Sequence, residues 1–233
     1  MPVKGGFAVQ KGIELLKQSQ IVILDVDSTI IRKEGVDMLA SYLGKEREIA
    51  ACKQEIINEL IPYNEFTRKC LNVLKPSKQV CEGCLQSYPY QLVDYIQEFI
   101  NACKEKKKEV FLVSGGFVPM ITPLLRILHI DESHLFAIPL RFDSEGRFLG
   151  FDETATVTRL DGKGIIAKEL RKKETNGSGV VVNIGDGILD ANAYPNTDAF
   201  IGFTGVTYKP RAMEKAMLIV DSFSDLTEMV RNS

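Results

Sequence analysis

Short runs of aliphatic residues, with no polar residue alternating between them, recur along this chain. They are Ile21-Val-Ile-Leu24, Val110-Phe-Leu-Val113, Val180-Val-Val182 and Ala199-Phe-Ile201, with a weaker one at Met217-Leu-Ile-Val220. A strand with one wet face alternates, whereas a run apolar throughout belongs to a strand covered on both faces, as in a parallel sheet. Helical patterns separate the runs, among them residues 8 to 18, Leu124 to Leu128, Ile165 to Lys172 and Leu226 to Val230. Strand and helix in alternation imply an α/β fold, a doubly wound parallel sheet.

Two stretches interrupt that rhythm. Between residues 35 and 89 there is only helical periodicity, over Val36 to Leu43, Ile49 to Leu60, Tyr63 to Leu74 and Val80 to Tyr88, punctuated by Pro62, Pro76 and Pro89. A small all-helical insertion after the first strand is expected. The second stretch, Pro139 to Asp152, turns around Ser144-Glu-Gly146 and reads as a hairpin.

Charge and cysteine usage narrow the function classes. Lys plus Arg number 29 against 31 Asp plus Glu, a formal charge of −2, so no basic face for nucleic acid is expected. The tight basic cluster Lys104 and Lys106 to Lys108 reads as a solvated helix end. No apolar stretch approaches the roughly 18 residues of a membrane span, and Lys11, Glu14, Lys17 and Gln18 interrupt any export signal near the start. Five cysteines, an odd and sparse set, suit reduced thiols and a cytoplasmic location. Cys81-Glu-Gly-Cys84 has metal-site spacing but no second pair to complete it, and His129 and His134 read as surface residues.

In an open α/β sheet, ligands bind beyond the carboxyl ends of the strands, and the chemistry-bearing residues stand there. The first run ends in Asp25-Val-Asp27-Ser-Thr29. Two carboxylates so placed raise one another's pKa unless a cation intervenes, and oxygen ligands suit Mg²⁺. The second ends in Ser114-Gly115-Gly116, a hydroxyl and two glycines ahead of a helix beginning near Phe117, which suits an anion such as phosphate. The third leads to Gly185-Asp186-Gly187 and Asp190, while Lys163 opens the intervening helix.

In this order, Asp25-Val-Asp-Ser-Thr29, Ser114-Gly-Gly116, Lys163 and Gly185-Asp-Gly187 with Asp190 resemble the four motifs of the haloacid dehalogenase-like phosphatases. The likeness extends through Ile31-Arg-Lys-Glu-Gly35, Gly150-Phe-Asp152 and Asp198-Ala-Phe-Ile-Gly-Phe203 to a branch acting on a phosphorylated amino acid. It implies a Rossmann-like catalytic core over residues 1–33 and 90–233, with residues 34–89 as the family's helical cap. It also implies an Mg²⁺-dependent hydrolase of a small phosphomonoester, with neither nucleic acid nor membrane as partner.

The roles carried over are as follows. Asp25 attacks phosphorus to form an aspartyl-phosphate, and Asp27 protonates the leaving alkoxide and then takes a proton from water. Mg²⁺ is held by the Asp25 carboxylate, the Asp27 backbone carbonyl and Asp186. Ser114, Gly115 and Gly116 hold the phosphoryl oxygens, and Lys163 offsets charge on the intermediate, supported by Asp190. Glu34 matches an acid aimed at a substrate ammonium, and Lys209 stands on the substrate side where an arginine is common. The family meets a substrate carboxylate with an arginine seven residues after an aromatic; here the aromatic is Tyr63 and the counted position is Cys70. Ile57-Asn58 replace a Met-Gly pair, and Leu189 replaces a threonine. These departures fall on substrate recognition and leave two alternatives: a phosphatase of another small metabolite, or a binding protein with a repurposed cap.

Overall fold

A computed structural model of the chain describes residues 6–57 and 60–232; Asn58 therefore lies outside the described residues. The first helix, α1 (Gly6–Gln18), leads into β1 (Ile21–Leu24), all four residues of which are buried. Val22 and Leu24 enter one apolar cluster and Ile21 and Ile23 the other, on the opposite face. Coverage of both faces is why this run does not alternate.

Four helices follow: α2 (Gly35–Leu43), α3 (Glu46–Ile57), α4 (Tyr63–Leu74) and α5 (Lys78–Ser87). The chain then returns through α6 (Ile96–Glu105), β2 (Glu109–Phe117), α7 (Val118–Leu128) and β3 (Leu135–Ile138) to the hairpin β4 (Leu140–Phe142) and β5 (Phe148–Phe151). It finishes with α8 (Gly162–Thr175), β6 (Val181–Gly185), α9 (Ile188–Ala191), β7 (Ala199–Phe203), α10 (Pro210–Met213), β8 (Leu218–Val220) and α11 (Phe223–Arg231). The six-stranded sheet runs β3-β2-β1-β6-β7-β8 and every pairing in it is parallel.

Strand order reverses at β1, whose neighbours are β2 on one side and β6 on the other. The crevice where such an order reverses is where α/β sheets bind ligands. The helical insert is closed at its base by a short antiparallel contact. Ile31 bridges Leu92, Arg32 N–H donates to the Gln91 carbonyl at 2.9 Å, and Val93 N–H donates to the Ile30 carbonyl at 2.9 Å. Inside the insert, Leu39, Ile49, Cys70, Leu71, Leu74 and Cys84 are buried, in one apolar cluster with Phe117 of β2 and Met120 of α7.

Three elements differ from the sequence reading. Leu135-Phe-Ala-Ile138 is a sixth parallel strand at the sheet edge, an apolar run passed over because a turn and Pro139 bound it closely. Lys108 is no solvated helix end: it is buried, and its ammonium donates to the Lys17 carbonyl at 2.7 Å and the Ser19 carbonyl at 2.8 Å. His134 is half-buried, its ring stacked on Phe111 at 4.2 Å, while His129 is exposed as read. The expected hairpin is present, and the five cysteines are buried free thiols.

The Lys108 contacts satisfy carbonyls at the end of α1 that have no helical partner. Lys108→Ala is therefore expected to lower stability by about 2 kcal/mol, the scale of losing charge-assisted hydrogen bonds to buried groups. Urea unfolding followed by circular dichroism measures it, with the substrate turnover of the folded fraction unaltered.

Candidate active site

Sheet register brings the motifs together. Leu24 is level with Leu112 of β2 and Ile184 of β6. Asp25, Ser114 and Asp186 therefore stand one or two residues beyond the same level on three adjacent strands. The Asp25 N–H donates to the Ile184 carbonyl at 3.0 Å, fixing the exit of β1 against β6. The loop then turns back sharply. Ser28 takes a left-handed φ of 59°, and the Val26 carbonyl accepts from the Ile30 and Ile31 N–H groups at 2.9 and 3.1 Å.

Ser114-Gly115-Gly116, read from sequence as following the second strand, is the last part of β2 itself, where pairing with β3 shifts register between Val113 and Phe117. Such a bulge re-aims side chains at a strand end. The Ser114 hydroxyl is buried and accepts from the Gly116 N–H at 2.9 Å. A Cβ on Gly116 would stand 2.9 Å from Asp27 Oδ2, so only glycine lets the strand approach that carboxylate. The next helix, α7, starts at Val118, one residue after the expected point.

Lys163 is the centre of the charge arrangement. From the first turn of α8 its ammonium donates to Asp25 Oδ1 at 2.7 Å and Asp190 Oδ1 at 2.6 Å, all three groups being almost fully enclosed. Burial alone would lower the lysine pKa, but Asp190 and Asp25 outweigh it and raise it, so the side chain stays charged. Asp190 is also tied through Oδ2 to the Gly187 N–H at 3.1 Å and through its carbonyl to the Asn183 amide at 3.0 Å. It thus caps the short helix α9 and holds Lys163 at once. Gly185 is required beneath it, since a Cβ there would lie 2.1 Å from the Asp190 Cγ.

Carboxylate oxygens of Asp25, Asp186 and Asp190 lie within 4.8 Å of one another. Burial drives the Asp25 pKa well up, against the pull of Lys163 and with the push of Asp190 and Asp186. Asp186 is raised too, by burial, despite the Lys209 ammonium 2.6 Å from its Oδ2. Three buried acids with oxygens so close together form a donor set fitted to a hard divalent cation. Asp190 contributes to the cluster, yet its two oxygens already serve Lys163 and Gly187.

Asp27 accepts from the Gly35 N–H at 2.8 Å at the entrance to α2. Its enclosure, and next the charge of Glu34, raise its pKa from 3.8 to about 7. A carboxyl that changes protonation near neutrality suits a group that must give and then take a proton. Opposite it, the Tyr63 hydroxyl of α4 reaches the Gly115 carbonyl at 3.4 Å, so the insert lies directly over the glycine pair. Glu34 accepts from the Ser28 hydroxyl at 3.3 Å and lies 3.9 Å from Lys209.

One charged residue was missed by the sequence reading. Lys53 of α3 lies 2.6 Å from Glu34 Oε2 and 2.7 Å from Asp37 Oδ2. Its place one turn after the apolar Ile49 and beside Cys52, both buried, is the sequence signal of an inward-facing cation. Arg68, close in sequence to Cys70, is paired instead with Glu65 and with Glu153 before α8. Cys81 and Cys84 are buried in α5 away from any metal-ligand group among the described residues.

Comparison with known proteins agrees with this geometry. No family model matches the chain. Over 217 residues it is 34% identical to the phosphoserine phosphatase of Drosophila melanogaster, covering 93% of this chain and 80% of that protein. The chain belongs to the phosphoserine phosphatase family. Its fold is that of the haloacid dehalogenase-like hydrolases, and it is a phosphoric monoester hydrolase. The structure of DsGPDH of Dunaliella salina superposes with a TM-score of 0.81 at 26% identity, covering 93% of this chain and 37% of that one. A phospho-aspartyl intermediate analogue of phosphoserine phosphatase superposes at 0.78 and 24% identity, covering 91% and 99% of the two chains. Among the described residues, no helix is long and apolar enough to cross a membrane.

Proposed function

We propose that this member of the family hydrolyses O-phospho-L-serine to L-serine and phosphate, with Mg²⁺ as cofactor and Asp25 as nucleophile. The observation that carries the reading is the convergence of Asp25 and Asp186, at adjacent strand ends, with Lys163 of α8, while Asp27 faces Gly116. Residues 34–89 act as the cap over a core formed by 1–33 and 90–233, a division supported by the paired backbone at Ile31 and Leu92. The five free thiols support a cytoplasmic setting.

In the first half-reaction an Asp25 oxygen bonds to phosphorus as the phosphorus–alkoxide bond breaks, and Asp27 gives its proton to the departing oxygen. In the second, Asp27 takes a proton from water, whose oxygen attacks phosphorus and frees phosphate and Asp25. Splitting hydrolysis this way replaces one difficult displacement by two easier ones. Asp25, Asp186 and the Asp27 backbone carbonyl would hold the Mg²⁺, which supplies the charge that offsets repulsion between carboxylate and phosphate. Ser114 accepts from the Gly116 N–H, which leaves its own hydroxyl proton for a phosphoryl oxygen. Lys163 stabilises the charge that builds on the Asp25 side, held in line by Asp190. Lys209 faces Glu34 and Asp186 on the substrate side.

Phosphate release from a panel of phosphomonoesters, with and without Mg²⁺, tests this. Turnover of phosphoserine far above the other esters, and only with the metal, is the expected result. Broad, weak turnover favours the phosphatase of a different small metabolite, a reading that the uncharged thiol of Cys70 supports: burial pushes it up to about 12.

A further inference from the structure

Two cations of the insert are taken up away from the site, Arg68 by Glu65 and Glu153 and Lys69 by Glu55. Lys53 is different: it is half-buried, meets Glu34 at 2.6 Å, and its field reaches both Asp27 and Cys70. Its second partner, Asp37 at 2.7 Å, stands in the first turn of α2. An ammonium and a carboxylate are thus already in contact beside the group that must protonate the leaving alkoxide.

We propose that Lys53 is the residue that selects a substrate carboxylate, and that the Glu34–Lys53 pair opens to exchange partners with a zwitterionic leaving group. The inference rests on phosphoserine being the substrate. The substrate ammonium replaces Lys53 on Glu34, the substrate carboxylate replaces Glu34 on Lys53, and Asp37 keeps hold of Lys53 throughout. The Lys53–Glu34 pair becomes two pairs, one to each charge of the substrate, while the Lys53–Asp37 pair is kept. Each half of the exchange supports the other: a substrate ammonium on Glu34 releases Lys53 from that contact, and the substrate carboxylate fills the place on Lys53 that Glu34 leaves. An ester carrying an amine but no carboxylate therefore meets a like charge at Lys53, and an uncharged alcohol gains nothing from opening the pair.

The test compares Lys53→Met, Lys53→Gln and Lys53→Arg with the wild type on O-phospho-L-serine, phosphoethanolamine and glycerol 3-phosphate in the presence of Mg²⁺. For the Met and Gln variants, the kcat/KM ratio of phosphoserine to glycerol 3-phosphate falls about ten- to hundredfold, through KM, the scale of removing one partner of a desolvated charge pair. The ratio of phosphoethanolamine to glycerol 3-phosphate rises in the same variants, and Lys53→Arg keeps the wild-type preference. Damage to the fold lowers all three activities together and leaves both ratios where they were. Unchanged ratios in both neutral variants, with a wild type that prefers phosphoserine, overturn the role of Lys53 alone. A wild type that does not prefer phosphoserine overturns the substrate reading, and the inference with it.

Discussion

Asp25→Asn is expected to reduce phosphate release by about four orders of magnitude or more, the scale of removing a covalent nucleophile, while the melting temperature holds or rises. The two effects separate because the carboxylate costs stability where it stands. It is buried beside Asp186 and Asp190, and enclosure raises its pKa well above that of a free aspartate in spite of Lys163. Asparagine removes the repelling charge yet keeps an oxygen to accept from the Lys163 ammonium, now at 2.7 Å from Asp25 Oδ1. Sites of this kind trade stability for chemistry. Phosphate release under saturating phosphoserine and Mg²⁺, together with a thermal melt, measures both arms. Turnover within tenfold of the wild type would show that phosphorus is not transferred to this side chain. A steep fall in melting temperature would show that the carboxylate supports the fold.

Lys163→Met is expected to damage both properties. The ammonium lies between two enclosed carboxylates at 2.7 and 2.6 Å, so its removal leaves two buried anions without a cation. Breaking a buried pair from one side costs about 3–5 kcal/mol, which for a domain of this size corresponds to a melting-temperature drop of roughly 10 °C. Loss of a preorganised charge at the reacting group lowers kcat by about 10²–10³-fold in addition. Lys163→Met combined with Asp190→Asn should recover part of the stability, because one of the stranded charges is gone, but none of the rate. The double-mutant cycle separates structural from catalytic loss. Full recovery of turnover in the double variant would exclude a direct part for the ammonium in stabilising the phosphorylated state.

A buried parallel strand writes itself into consecutive residues, because both faces must be apolar. Ile21-Val-Ile-Leu24 carries that constraint locally, and the residue that follows it, Asp25, marks the active end. The helical insert was legible for the same reason, its apolar spacing and prolines being local. The edge strand Leu135–Ile138 is less legible because it is only four residues long, its first two residues are half-exposed, and a turn and Pro139 bound it closely. The bulge at Ser114-Gly-Gly116 depends on where β3 pairs with β2, a fact about two segments rather than one.

The electrostatics divide in the same way. Sequence alone determined the sheet, the insert, and the residue types that stand at the strand ends, since hydrophobic periodicity and motif order are properties of a linear string. The tertiary structure alone decided which charges meet: Lys163 reaching Asp25 across 138 positions, Lys209 on Asp186, and Lys53 on Glu34 from another helix. Coulomb energy depends on separation in space and on the burial of both groups, and neither quantity is written in the spacing of residues along a chain.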